Sequence, residues 1–342
     1  MKAILALEDG TVIDGEGFGT PKTVFGELVF NTSMTGYQKA LTDPSYKGQL
    51  LMFTYPLIGN YGVSGWYESD GIKPEGAVVA EWCSHPANSA KTIGEFLREH
   101  RTPGIAEVDT RALTRHIRRR GTVKAALAFD GDPEDIVEMV REMPHPMERN
   151  LVAEVGCDTV SRGGRGKRVV LIDCGTKRSI LGELEKRFEV VRVPYRTSKE
   201  EIEALEPDGI CISNGPGDPA HPALSPLVKA LGTFDYPMLG ICLGHQLLAL
   251  SLGASTYKLK FGHRGANQPV KDLRTGKVYI TAQNHGYAVA PTDRIEVTHV
   301  NVNDGTVEGF QRDNVMGVQY HPEGSPGPND SMHVFDDFAG MI

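Results

Sequence analysis

The chain has 342 residues, 40% hydrophobic and 23% charged, with a formal net charge of −8. That length exceeds one ordinary core and makes two domains the expectation. The absence of a long basic run points away from nucleic acid as a partner. Five cysteines, Cys83, Cys157, Cys174, Cys211 and Cys242, are odd in number, widely spread and without a C-x-x-C pair, so neither a disulfide framework nor a zinc site is expected.

Met1 to Asp9 offers about five apolar residues before two acids, too few for a signal peptide, and no apolar run reaches membrane length. The chain is therefore expected in the cytoplasm, with no membrane partner. The Asn-x-Ser/Thr matches at Asn31 and Asn329 then mean nothing. No G-x-x-x-x-G-K-S/T occurs, so any ATP used in the chemistry is expected on another chain.

Residues 1–150 read as a β-rich, mixed α/β domain. Ala3 to Leu7, a Glu-Asp-Gly10 turn and Thr11 to Ile13 predict a hairpin. Glu27 to Phe30 and Gln49 to Thr54 are further strands. The polar stretch between them contains Asp43-Pro-Ser45, a turn that presents Ser45 at the surface. Asp109-Thr110 caps a helix running to Gly121, with arginines crowding its last turns where the helix dipole favours them. Asp132 to Arg141 is a short amphipathic helix with acids in its first turn.

Residues 151–167 are expected as a linker, since Ser161 to Arg168 is glycine-rich, basic and without an apolar side chain. From 168 to 342 the rhythm becomes strand, helix, strand, helix. It predicts an open, mainly parallel, flavodoxin-like sheet with helices on both faces. Val169 to Asp173, Glu189 to Val193, Gly209 to Ile212 and Pro237 to Ile241 are its strands. Lys177 to Arg187 and a helix behind the Ser198-Lys-Glu-Glu201 capping box lie between them. After Ser255 the chain turns to hairpins, with strands at Lys277 to Ile280, Ile295 to Val300, Thr306 to Phe310 and Val315 to Tyr320.

The fourth strand changes period in mid-run. Tyr236-Pro-Met-Leu-Gly-Ile-Cys242-Leu-Gly-His-Gln246 passes from strand through a sharp turn into a helix that stops at Gly253. This is a nucleophile elbow with sulfur in place of oxygen, placed at a helix N-terminus where unpaired N–H groups favour negative charge. Ligands collect at the carboxyl ends of such strands, so the Gly215-Pro-Gly217 loop shares the elbow's edge, and the N–H groups of the two converge on one oxyanion. The last strand delivers His321-Pro-Glu323, which adds a base and a group to orient it. His245 and His285 compete for the base, and His245 is expected to point along its helix.

Gly240-Ile-Cys-Leu-Gly-His-Gln246 with the distal His321-Pro-Glu323 resembles the class I (triad) glutamine amidotransferases. Phe30 to Gln38, Leu41 to Tyr46, Ser213 to Pro219, Phe261-Gly-His263, Ile280 to Tyr287 and Ser325 to Pro328 narrow that resemblance to the small, glutaminase subunits of carbamoyl phosphate synthetases, over nearly the whole chain. The resemblance implies that Cys242 attacks the side-chain amide of glutamine, His321 moves the protons and Glu323 holds the imidazole. It implies an oxyanion hole from Leu243 and Gly215, and a glutamine pocket lined by Gly217, Gln246, Asn284, Gly286 and Tyr287, with Ser45 reaching in from the N-terminal domain. Tyr287 stands where members often carry phenylalanine. The partner implied is a large subunit that holds ATP and magnesium, uses bicarbonate and receives the ammonia, with no cofactor in this chain. The Arg111 to Lys124 region is one candidate docking surface. The alternatives are a glutaminase subunit of another synthase, a stand-alone cysteine hydrolase and an inactive scaffold.

Overall fold

The computed structural model describes residues 1–87 and 91–342, which form two compact units, Met1–Arg149 and Asn150–Ile342. In the first, β1 (Lys2–Leu7), β2 (Val12–Gly19), β3 (Val24–Asn31), β4 (Gln49–Phe53), β5 (Leu57–Ile58), β6 (Gly76–Val78), β7 (Glu81–Trp82), β8 (Pro103–Ala106) and β9 (Val123–Ala128) follow in chain order. Seven of them close into a barrel in the order β1-β2-β8-β6-β4-β3-β9, while β5 and β7 pair separately. Closure leaves no edge to template aggregation.

The predicted hairpin forms, with Ala6 opposite Val12 and Gly10 at φ 91. Period-two alternation then divides the strands. Ile4 and Ala6 pack with Ala126 and Ala128 against Ile136, Val137 and Val140 of a helix outside the barrel, and Leu5 and Leu7 point the opposite way. The helices are α1 (Tyr37–Leu41), α2 (Ile93–Glu99), α3 (Thr110–Arg120) and α4 (Pro133–Glu142). Asp109 caps α3, as its sequence predicts, and Asp132 caps α4, whereas α2, behind a Thr92–Glu95 capping box, was not anticipated. Ser45 is buried rather than at the surface, because its N–H is turned inward onto the Asp43 carboxylate at 2.9 Å.

The second unit opens with α5 (Leu151–Val155) and β10 (Ser161–Gly164), so the stretch expected as a linker is folded. Strand β10 pairs antiparallel with β12, placing Ser161 opposite Arg192 and Gly164 opposite Glu189. A backbone ladder at a sheet edge needs no apolar side chains, which is why composition gave no sign of it. Strands β11 (Arg168–Asp173), β12 (Glu189–Pro194), β13 (Gly209–Ile212) and β14 (Met238–Ile241) follow, with α6 (Arg178–Glu185), α7 (Lys199–Glu203), α8 (Ser225–Leu231) and α9 (Leu243–Ser251). Then come β15 (Thr256–Asp272), β16 (Val278–Val289), β17 (Glu296–Asn301), β18 (Val307–Arg312), β19 (Val315–Val318) and α10 (His333–Met341).

The ten-stranded sheet has the order β10-β12-β11-β13-β14-β19-β18-β16-β15-β17. Strands β12, β11, β13, β14 and β19 run parallel, and the remainder pair antiparallel at its flanks. Both faces of the parallel set are covered, as its continuous apolar runs predict. Val170 and Ile172 face Ile202 of α7, Leu227 of α8 and Leu247 of α9, while Val169 and Leu171 face Ile180 of α6 and Phe335 of α10. Among the described residues no helix is long and apolar enough to cross a membrane.

Hydrogen exchange tests the folded linker. Peptides spanning Ser161–Gly164 should exchange well below the unfolded rate and more slowly than 165–167. Unprotected exchange across both would mean that β10 does not pair in solution.

Candidate active site

Cys242 stands between β14 and α9 at φ 54 and ψ −102, a left-handed region that a residue with a Cβ enters only under strain. Packing enforces the turn. The Cys242 N–H donates to Val318 O at 2.9 Å and the Gly244 N–H to Ser213 O at 3.0 Å, fixing the elbow to strands on either side. A Cβ on Gly244 would lie 2.1 Å from Ile212 O, and one on Gly240 would lie 2.5 Å from the Gly244 carbonyl. Only glycine fits either place.

Strand β19 then carries the chain to His321, whose N–H donates to Ala282 O at 2.8 Å. His321 Nδ1 donates to Glu323 Oε1 at 2.8 Å, which leaves Nε2 as the ring nitrogen without a hydrogen bond. The neighbouring Cys242 thiol helps to raise the imidazole's pKa. Lys177 was read from sequence only as the first residue of a helix. It is 1% exposed, and its Nζ donates to the same Glu323 oxygen at 2.7 Å and to Ser325 O.

The loop that delivers Lys177 is built on Asp173. Oδ1 accepts the N–H groups of Gly175 and Thr176 at 2.8 and 2.7 Å, and Oδ2 pairs with Arg192 Nε at 2.8 Å. Lys177 N–H itself donates to Asn214 Oδ1 at 3.2 Å. The only sequence signal for this lysine was its place just past the carboxyl end of β11, the edge where ligands collect.

Charge sets the protonation of the triad. Burial opposes a proton on His321, but the Glu323 carboxylate outweighs it and holds the imidazole well above its usual pKa, with Lys177 pulling the other way. Burial likewise opposes the Glu323 anion, and Lys177 and His321 together hold its pKa below the usual carboxylate range.

The competing histidines are engaged elsewhere. His245 is fully buried against Phe310, with ring centroids 4.9 Å apart, and burial depresses its pKa to about 3. His285 spends Nδ1 on Tyr287 O and holds Nε2 at 2.9 Å from Gln283 Oε1.

Of the remaining predicted residues, Asn284 touches the sulfur and Gln246 is tied to Tyr287. The Cys242 thiol donates to Asn284 O at 3.6 Å, and Gln246 Nε2 donates to Tyr287 O and Gln319 Oε1, both at 2.9 Å. Gly215 packs against Leu243 so closely that a Cβ would approach the leucine side chain to 2.9 Å. Neither amide of that pair donates within the described chain. Gly217, at φ 97, lies beyond it against Leu151, and Gly286 faces the Arg264 guanidinium. Ser45 belongs to the first unit.

This geometry can do one kind of chemistry: a thiol nucleophile, an imidazole that moves its proton and two unengaged N–H groups to hold an oxyanion. Residues 5–127 match the family model for the carbamoyl-phosphate synthase small chain, CPSase domain, and residues 170–341 match glutamine amidotransferase class-I. The chain is 51% identical to the carbamoyl phosphate synthase small chain of Archaeoglobus fulgidus, covering 100% of this chain and 99% of that one. It is 50% identical to the small chain of Methanopyrus kandleri, over 100% and 99% of the two. It is 49% identical to the pyrimidine-specific small chain of Bacillus subtilis, over 100% and 96%.

Two predictions follow from the buried charges. Glu323→Gln strands the Lys177 cation and should cost about 3–5 kcal/mol of stability, most of which Lys177→Met/Glu323→Gln restores. Denaturant unfolding of the three forms measures this, and a double variant no more stable than the single one would exclude the pairing. The double variant should also lose the imidazolium at lower pH. Because the folded pKa of His321 is raised, its contribution to stability is full below 6.5 and fades as pH climbs towards about 10. Removing the carboxylate moves that fade towards neutral pH.

Proposed function

The chain belongs to the carbamoyl phosphate synthase small-chain family, and on that premise we propose the following course for its chemistry. It is an enzyme that hydrolyses glutamine to glutamate and ammonia and delivers the ammonia to a large synthase subunit. The observation that carries this reading is the strained Cys242 elbow facing a His321 already tied to Glu323.

His321 Nε2 takes the thiol proton, and the sulfur attacks the side-chain amide carbon of glutamine. The amides of Leu243 and Gly215 hold the oxyanion, a contribution of about 3 kcal/mol per donor. His321 then returns the proton to the departing nitrogen, ammonia leaves, and a γ-glutamyl thioester remains on Cys242. Water attacks the thioester with His321 again as base, releasing glutamate and restoring the thiol. Gly217, Gln246, Asn284, Gly286 and Tyr287 line the glutamine pocket.

Ammonia set free in neutral water is protonated and ceases to be a nucleophile, so a closed path to a second site preserves it. ATP, magnesium and bicarbonate chemistry falls to the large subunit. Its docking face is α3, where Arg111, Arg115 and Arg118 line a cavity of about 550 Å³ with Thr32 and Thr54. Arg120 is turned away onto Asp9 at 2.9 Å. Such a basic concavity suits acidic side chains on the partner.

Glutamate release from glutamine, measured alone and with the large subunit, ATP and bicarbonate, tests the chemistry. Weak activity alone, a rise with the partner and none in Cys242→Ser are expected; full activity in that variant would sink the mechanism. Arg111→Glu/Arg115→Glu should weaken subunit association at least tenfold while leaving the basal glutaminase intact. Unchanged affinity would move the docking face elsewhere.

A further inference from the structure

A second buried polar cluster lies behind the strand that carries Asn284 and Tyr287, and the reaction above makes no use of it. His263 of β15 and His285 of β16 are register partners whose rings meet edge-on at 4.9 Å. His263 Nε2 donates to Asp304 Oδ2 at 2.8 Å, and its Nδ1 lies 3.4 Å from Glu308 Oε1. Glu308 is 0% exposed and also accepts from Asn301 Nδ2 at 3.2 Å. The Gln283 amide bridges the cluster, with one end 2.9 Å from Glu308 Oε2 and the other 2.9 Å from His285 Nε2.

Proton counting constrains this chain of contacts. The Tyr287 carbonyl, 2.8 Å from His285 Nδ1, only accepts, so Nδ1 carries hydrogen. Burial holds the His285 ring neutral, which leaves Nε2 a bare acceptor in need of a donor. The end of Gln283 facing it must then be the NH2 group, the two ends of an amide being alike in shape. That orientation gives up a 3.2 Å contact with Thr281 Oγ1. It also turns the Gln283 oxygen towards Glu308 Oε2, where two acceptors are reconciled by a proton on the carboxyl group. Burial favours the neutral acid there. His263 supplies the remaining donor: burial opposes its charge, but the Asp304 carboxylate 2.8 Å from Nε2 raises its pKa.

We propose that His263 and Glu308 are positioning residues for the glutamine pocket. Glu308, as the neutral acid, donates to Gln283, and Gln283 donates to His285 Nε2. This relay fixes His285 in its Nδ1–H tautomer against the Tyr287 carbonyl. That carbonyl also takes Gln246 Nε2, and Cys242 donates to the carbonyl of Asn284, so the relay sets the pocket wall beside the sulfur. The inference rests on the reading that Gln246, Asn284, Gly286 and Tyr287 receive glutamine.

The discriminating pair is Glu308→Gln and Glu308→Leu, assayed with the large subunit present. A glutamine amide at 308 still donates to Gln283, so KM for glutamine should stay within about threefold; leucine cannot donate, and KM should rise about tenfold or more with kcat little changed. Nitrogen-15 spectra of histidine-labelled protein should show His285 with a protonated Nδ1 and a bare Nε2 in wild type and Glu308→Gln. Equal loss in both variants, or a doubly protonated His285, overturns the relay. Stoichiometric zinc in the purified protein would make His263, His285 and Glu308 metal ligands and overturn it too. If Glu308→Leu fails to fold, Glu308→Gln and the spectra still decide. Wild-type protein without glutaminase activity would strike the functional reading instead, and the tautomer would still judge the relay.

Discussion

Glu323 holds a negative charge at 5% exposure, and two donors answer it at one oxygen, Lys177 Nζ at 2.7 Å and His321 Nδ1 at 2.8 Å. Desolvating three ionisable groups is expensive, and hydrophobic residues of equal volume would be no less stable. What the arrangement supplies is position. Lys177 leaves the end of β11 and His321 the end of β19, with β13 and β14 between them in the sheet. The ion cluster ties together the carboxyl ends of these strands, above the place where β14 turns into the elbow. The Asp173–Arg192 pair extends the same logic outward, since Asp173 shapes the loop from which Lys177 projects.

The thiol's place is a balance of strain against packing. A left-handed cysteine costs of order 1–3 kcal/mol, and it persists because Gly240 and Gly244 let α9 sit directly on β13 and β14. A larger residue at either position would lift the helix and relieve the turn. The helix start that leaves the Leu243 N–H unengaged is thus set by contacts to Ile212 and Ser213, not by the cysteine itself.

Much of this was legible in the sequence. The parallel strands announced themselves as apolar runs between capping signals, and the elbow as a change of period between two glycines. His321 and Glu323 were readable because proline fixes them directly after a strand. Strand β10 was not, since its hydrogen bonds belong to the backbone and Ser161-Arg-Gly-Gly164 has no apolar face. Lys177 was hidden for the opposite reason. A lysine at a helix start reads as a solvated charge, and its partner lies 146 positions away in sequence.

The antiparallel flank was the least legible part. Strand β15 runs for 17 residues, with register shifts between Lys258 and His263 and between Gly265 and Gln268, so no single alternation marks it. The first of those shifts places His263 directly opposite His285, where a regular ladder counted from Lys258 and Tyr287 would not. The β17–β18 hairpin brings the acidic side chains of Asp304 and Glu308 to this buried histidine pair. The flank is therefore more than an extension of the sheet. It surrounds one face of Asn284 to Tyr287 with fixed hydrogen-bond partners, so that the opposite face can present carbonyl and amide groups beside Cys242 without rearrangement. The parallel strands position Cys242 and His321; the wall that carries Asn284 and Tyr287 comes from the strands that lie beyond β19 in the sheet.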